Sequence, residues 1–232
     1  MTEIYISYLI RQPILATAVF ISIIPILLTF VRKTYIDPVF LILLIYLILK
    51  FLLDLTMFHY ASNRANNIIF GNVIVIMRYC LCSSMFLHRL ESRFFRKVLW
   101  YTIVGFIIFS CWDFLSINPD LLNTHDHKEF LYASTIECIL MIFWILLYFY
   151  ETIRSLKIPN LLSYPFFWVC AGMLLYYSSI VFIAPLFHYT YTWENWIDIG
   201  FLVYVPSIFE SINMIFFSIG ICFFSARYYA QQ

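Results

Sequence analysis

Lys50 and Asp54 stand four residues apart within residues 46–60, a stretch otherwise apolar enough to lie in lipid. About one helical turn separates them, so both charges fall on one helix face. Ionisable groups inside a membrane helix are costly and turn toward a bundle interior or a water-filled cavity, where they mark binding sites, ion pathways or proton relays. Arg78, Asp113, Glu137 and Glu210 interrupt other apolar segments in the same way. One-to-one pairing of these two bases and four acids leaves two carboxylates over. Each must be protonated, hydrated, or matched by a ligand or by a partner's cation.

Helical spacing widens this polar set. Ser110 precedes Asp113 by three positions, Ser134 precedes Glu137 by three, and Ser207, Glu210 and Asn213 follow one another at three-residue intervals. Tyr176, Tyr177, Ser178 and Ser179 lie at similar depth in another segment. The candidate ligand-binding or charge-network residues are therefore Lys50, Asp54, Arg78, Asp113, Glu137, Tyr176, Tyr177, Glu210 and Asn213. Two readings stay open. The set lines one polar cavity that binds or senses something, or it is a buried ion-pair network that fixes helix register.

The elements that must hold these residues are membrane helices. Of 232 residues, 63% are hydrophobic, 21% aromatic and only 12% charged, with a mean hydropathy of +0.88; soluble domains carry about a quarter charged residues. A helix needs about 20 mainly apolar residues to cross a bilayer. Seven stretches qualify, at about 13–31, 38–58, 68–90, 98–117, 130–150, 165–187 and 201–224. The expected fold is all-α: one integral membrane domain, 1–232, built as a seven-helix bundle. Pro13, Pro38 and Pro165 stand at first-turn positions, where a missing N–H costs nothing. Residues 1–12 lack the basic region of a cleaved leader, so the first span is expected to be retained.

Basic residues alternate between the two sides. Arg32 and Lys33, then Arg89, Arg93, Arg96 and Lys97, then Arg154 and Lys157, then Arg227 fall on one side; the other has Arg11, Arg64 and Lys128, with acids in the loops at 118–129 and 188–200. The positive-inside rule puts the N-terminus outside and the C-terminus in the cytoplasm. By that topology the charged set lies in the central-to-outer half of the bundle. Arg89, Arg93, Arg96 and Lys97 are a topology determinant and lipid-headgroup contact, or a dock for a cytoplasmic partner.

Other chemistry is thinly supported. His125 and His127 flank Asp126, but a zinc site needs a further spaced ligand. No metal, cofactor or nucleic-acid partner is expected, and no nucleophile set marks an enzyme. All six cysteines lie in apolar segments and read as buried thiols that pack like small hydrophobes. Ala171 and Gly172 suggest a close helix contact. Several seven-helix families are excluded by residues. The last predicted span has neither the lysine of retinal proteins, nor the Asn-Pro-x-x-Tyr run of G-protein-coupled receptors, nor the histidines of membrane zinc hydrolases, and the Gly-x-Ser-Gly of rhomboid proteases is missing.

Residues 163–168 (Ser-Tyr-Pro-Phe-Phe-Trp) and 172–178 (Gly-Met-Leu-Leu-Tyr-Tyr-Ser) resemble a pattern in small seven-helix membrane proteins of Bacteroidetes-type bacteria. They are also similar to the membrane regions that precede sensor histidine kinases. The resemblance implies a bacterial inner-membrane protein of sensor or receptor type. Such a protein receives a small ligand or ion in an outward-facing polar cavity and signals through a separate cytoplasmic protein. A transporter or ion-pathway subunit, with Asp54, Glu137 and Glu210 alternately protonated, is the first alternative. A structural accessory subunit of a membrane complex is the second.

Overall fold

Asp37 and Pro38 show how local sequence sets the helix ends. The Asp37 Oδ1 atom accepts the backbone N–H groups of Val39 and Phe40, at 2.9 and 3.3 Å, and Pro38 occupies a position where no N–H is needed. The computed structural model describes residues 2–119, 127–130, 132–155, 161–192 and 200–224, with the backbone alone at 2, 3, 184, 185 and 187–192. The histidine and acidic positions expected at 120–126 and 193–199 lie outside these residues.

Among the described residues the helices are α1 (Thr2–Arg11), α2 (Pro13–Phe20), α3 (Ile23–Arg32), α4 (Pro38–Ser62), α5 (Ile68–Arg89), α6 (Arg93–Ile117), α7 (Ala133–Ser155), α8 (Pro165–Thr192) and α9 (Val205–Phe223), with no strand. Seven stretches are long and apolar enough to cross a membrane: Pro13–Arg32, Pro38–Ser62, Ile68–Arg89, Arg93–Ile117, Ala133–Ser155, Pro165–Ile183 and Phe201–Phe223. These helices make the chain an integral membrane protein. The first span is broken between α2 and α3, because Pro25 has no N–H to offer the Ile21 carbonyl. Ile24 N–H takes that carbonyl instead, at 3.1 Å, and the helix tightens and turns.

Two predicted boundaries move for identifiable reasons. Ser92 accepts the Phe95 N–H and starts α6 five residues earlier than hydropathy alone places it, so the basic cluster lies in the helix's first turns. The fifth span starts at Ala133 instead of 130. Its start is held by a side chain from another helix: Asp113 Oδ2 accepts the Tyr132 and Ala133 N–H groups at 3.0 and 2.9 Å. Asn72 and Asn118 complete a clamp on the same segment. Asn72 bonds Lys128 O and Phe130 N, at 3.1 Å each, while Asn118 bonds Lys128 N at 2.7 Å and Lys128 O at 3.3 Å.

Packing closes a ring in which α4 follows α2 and α3, then α5, α7, α8 and α9, and α9 returns to α2 and α3; α6 lies outside it against α5 and α7. One end of this ring is filled by aromatics. Phe86, Tyr148 and Phe166 meet at centroid distances of 5.1–5.9 Å, and Phe40 meets Phe224 at 5.2 Å. Bilayer helices are held by close van der Waals contact rather than by exclusion from water, and the α8–α9 pair shows this most clearly. A Cβ on Gly172 would lie 2.6 Å from Phe216 Cβ, and one on Gly220 would lie 2.8 Å from the Pro165 carbonyl oxygen. The close contact expected at Ala171 and Gly172 is therefore present, and Gly220 is its counterpart on α9.

The expectation for the cysteines holds in part. Cys82, Cys138 and Cys170 are buried, whereas Cys111 and Cys222 are exposed. In a membrane span those two thiols face lipid, where an apolar sulfur costs little.

Candidate functional site

Lys50 is 1% exposed near the middle of α4, and its ammonium bonds to Asp54 one turn on. It also lies 2.6 Å from Glu210 Oε1 on α9. The two carboxylates are not sealed as the ammonium is: Asp54 is 13% exposed and Glu210 22%. That difference in exposure is explained by a cavity of about 220 Å³ ending on both acids. Leu15, Ala18 and Val19 of α2 form one wall, Met57 and Phe58 of α4 another, and Ser207 of α9 lies beside Glu210. Lys50 sits behind the acids and does not line the cavity. Formal charge in the triad is one positive against two negative, so the site presents a net negative charge to the space in front of it. Desolvating an ion costs several kcal/mol, roughly, in a protein interior. The uncompensated charge therefore calls for water, a proton or a cation from the cavity side.

Arg78 forms a second unit, closed on itself. Its Nε and Nη2 atoms donate to Glu137 Oε1 and Oε2, both at 2.6 Å, in a bidentate pair. Nη1 donates to the Tyr176 hydroxyl at 2.6 Å, and the Tyr177 hydroxyl donates to Glu137 Oε1 at 3.3 Å. The guanidinium carbon lies 5.1 and 5.7 Å from the two tyrosine ring centres. Glu137 is fully buried and Arg78 nearly so. Charge is balanced and the polar atoms have partners, so this unit locks α5, α7 and α8 together.

The sequence-derived set thus divides. Lys50, Asp54 and Glu210 meet at the cavity, and Arg78, Glu137, Tyr176 and Tyr177 form a separate cluster. Two members belong to neither group. Asp113 is the α7 cap described above. Asn213 is buried against Gly172, with its Oδ1 2.7 Å from where a Cβ on that glycine would be. The six charges therefore divide between the two readings, into one cavity, one sealed ion pair and one helix cap. The reason is geometric: depth alone does not determine which way a side chain turns around its helix axis.

The basic set divides too. Arg93, Arg96 and Lys97 are exposed, as a lipid or partner contact requires. Arg89 instead turns inward. Its Nη2 donates to Asp37 Oδ2 at 2.8 Å, and its guanidinium carbon lies 5.8 Å from the Phe166 ring centre. It bridges the starting turn of α4 to the end of α5, and its place in a surface contact is corrected accordingly.

Sequence reasoning missed α1 and what it covers. This helix packs on the last turns of α4 through Tyr5 and Tyr8, whose rings lie 6.2 and 5.2 Å from that of Phe58. The Tyr5 hydroxyl also bonds His59 Nδ1 at 2.7 Å. Tyr8 lines the cavity. Burial, with a smaller contribution from Tyr204, pushes its phenol above the ordinary tyrosine range, so it stays neutral at physiological pH. Among the described residues no group of three or more His, Cys, Asp or Glu side chains is arranged to hold a metal ion. No protein-family model, curated protein or solved structure matches this chain.

Proposed function

We propose that this is a receptor-like membrane protein that takes a small ligand or ion into the cavity at Asp54 and Glu210. The observation that carries the reading is the exposure gradient in the triad: a sealed ammonium behind two carboxylates that open on the cavity. The opposite end is closed by the packed rings of Phe86, Tyr148 and Phe166, which favours reception over a continuously open pore. By the positive-inside rule the cavity opens to the exterior, and the basic start of α6 faces the cytoplasm. The resemblance in residues 163–178 supports a bacterial inner membrane as its location. Ligand bound between α2, α4 and α9 would shift α9 against α8, and a separate cytoplasmic protein would read the movement.

Thiol accessibility tests this reading. In Met57→Cys, a charged, membrane-impermeant thiol reagent applied to the exterior should label the new cysteine, and 1 mM or so of an alkylamine should slow the labelling if it occupies the acid pair. In Leu47→Cys, one turn below Lys50, neither side should give labelling. Labelling of Leu47→Cys from the cytoplasm would replace the receptor with a transporter or ion-pathway subunit. Absence of labelling at Met57→Cys from either side would remove the open cavity altogether.

A further inference from the structure

The Asp54–Glu210 cavity does not end at its own rim. A second chamber of about 630 Å³ adjoins it, and Tyr8 and Ala61 line both. The two chambers differ in charge. Among the described residues, Asp54 and Glu210 are the only carboxylates lining the inner chamber and no Lys, Arg or His lines it, whereas Arg11 and Arg64 line the outer one with no carboxylate beside them. Neither arginine forms an ion pair among the described side chains. Ser7, Gln12, Ser62 and Asn63 supply neutral hydrogen-bonding groups around them. Arg64 stands in the turn just after α4, with φ 57°, and its N–H bonds Ala61 O at 3.0 Å.

We infer that the ligand is an elongated zwitterion, a peptide of three or four residues, with its N-terminal ammonium at Asp54 and Glu210 and its C-terminal carboxylate at Arg11 and Arg64. This rests on reading the acid pair as a ligand site. Length decides among zwitterions. Asp54 lies eight positions before the end of α4 at Ser62, a rise of about 12 Å at 1.5 Å per residue, and Arg64 follows two residues later, so the two poles are roughly 12–15 Å from one another. An extended peptide covers about 3.3–3.6 Å per residue, so three or four residues plus the terminal groups bridge them. A free amino acid or an ethanolamine phosphate headgroup is too short to engage both. The middle of the path suits a peptide as well, since Tyr8, Met57 and Phe58 offer apolar and aromatic surface to side chains.

The ends should contribute unequally. The acid pair is mostly buried and carries an unmatched charge, whereas the arginines are exposed and screened; an exposed pair contributes about 0.2–1 kcal/mol. The test uses the full-length protein in lipid nanodiscs, with alanine and leucine oligopeptides of one to six residues as probes and calorimetric or thermal-shift titration as readout. Binding should peak at three or four residues. N-acetylation should weaken it by at least about tenfold, and C-terminal amidation by about fivefold. Arg11→Gln with Arg64→Gln should abolish the acid-over-amide preference and keep the need for a free ammonium, while Asp54→Asn should do the reverse. Simple alkylamines binding as tightly as any peptide, with no effect of the arginine substitutions, would overturn the peptide and leave the acid-pair site standing. Failure of amines and peptides alike, with Asp54→Asn unfolding at the wild-type temperature, would overturn both.

Discussion

Lys50 and Glu210 join two helices that otherwise pack mainly on other neighbours, α4 on α5 and α9 on α8, by a contact of 2.6 Å between Nζ and Oε1. Among the described residues the ammonium is the only cation touching the acid pair, so its removal leaves two carboxylates facing each other in a low-dielectric site. Lys50→Met should lower stability by about 3–5 kcal/mol, the usual cost of orphaning buried charge. The triple variant Lys50→Met, Asp54→Asn, Glu210→Gln should regain most of that, because no charge is then left unmatched. Thermal unfolding of the three proteins in one detergent checks the order. A triple variant no more stable than the single one would show that Lys50 acts through packing and not charge.

Arg78 and Glu137 make the corresponding case without a cavity. Either Arg78→Leu or Glu137→Leu should cost about 3–5 kcal/mol, and the double variant clearly less than the sum, since the penalty is an unpaired charge that the double variant lacks. A double-mutant cycle measures this directly. Additive losses would contradict the bidentate geometry. Tyr176→Phe should cost less, about 1–3 kcal/mol, because it removes one hydrogen bond to a charged group and leaves the ion pair intact.

Much of this arrangement follows from the sequence and the rest depends on rotation about helix axes. Lys50 and Asp54 are paired by their spacing alone, and Glu210 joins them because it lies at the same depth. The sequence does not say which acid Arg78 pairs with, since Glu137 and Glu210 are both within reach of a central arginine until the helix order is known. The sequence leaves the role of Asp113 open, because a carboxylate within a span looks the same whether it faces a cavity or caps a neighbouring helix. To tell them apart one must know that α7 begins beside residue 113. The α1 helix escaped notice because it is short and carries no cap signature. Even so, Arg11 and Arg64 were visible as the exceptions to an otherwise sharp charge asymmetry between the two sides.

Asp113 can be tested as a cap rather than a ligand group. Asp113→Ala removes the acceptor for two N–H groups at the start of α7 and should cost about 0.5–2 kcal/mol, with binding at the Asp54–Glu210 cavity unchanged. Asp113→Asn keeps an acceptor oxygen and should lose less than half as much. Hydrogen exchange at residues 132–136 locates the effect, and protection there should fall in the alanine variant. Unchanged protection together with lost ligand binding would return Asp113 to the cavity.

Gly172 and Gly105 offer a matched pair for the packing of α8 on α9. A Cβ at Gly105 meets nothing within 4 Å, whereas at Gly172 it lies 2.6 Å from Phe216 Cβ, an atom fixed to the α9 backbone. A flexible side chain could swing away; this atom moves only with its helix. Gly172→Ala should therefore push α8 and α9 apart and cost about 1–3 kcal/mol, the range for overpacking. Gly105→Ala should be neutral or slightly stabilising, because alanine is the better helix former. Since α9 also carries Glu210, the same displacement should lengthen its contact with Lys50, so Gly172→Ala should weaken cavity binding without altering any residue that lines it. Equal unfolding temperatures for the two variants would mean that the α8–α9 interface is looser than its glycines indicate.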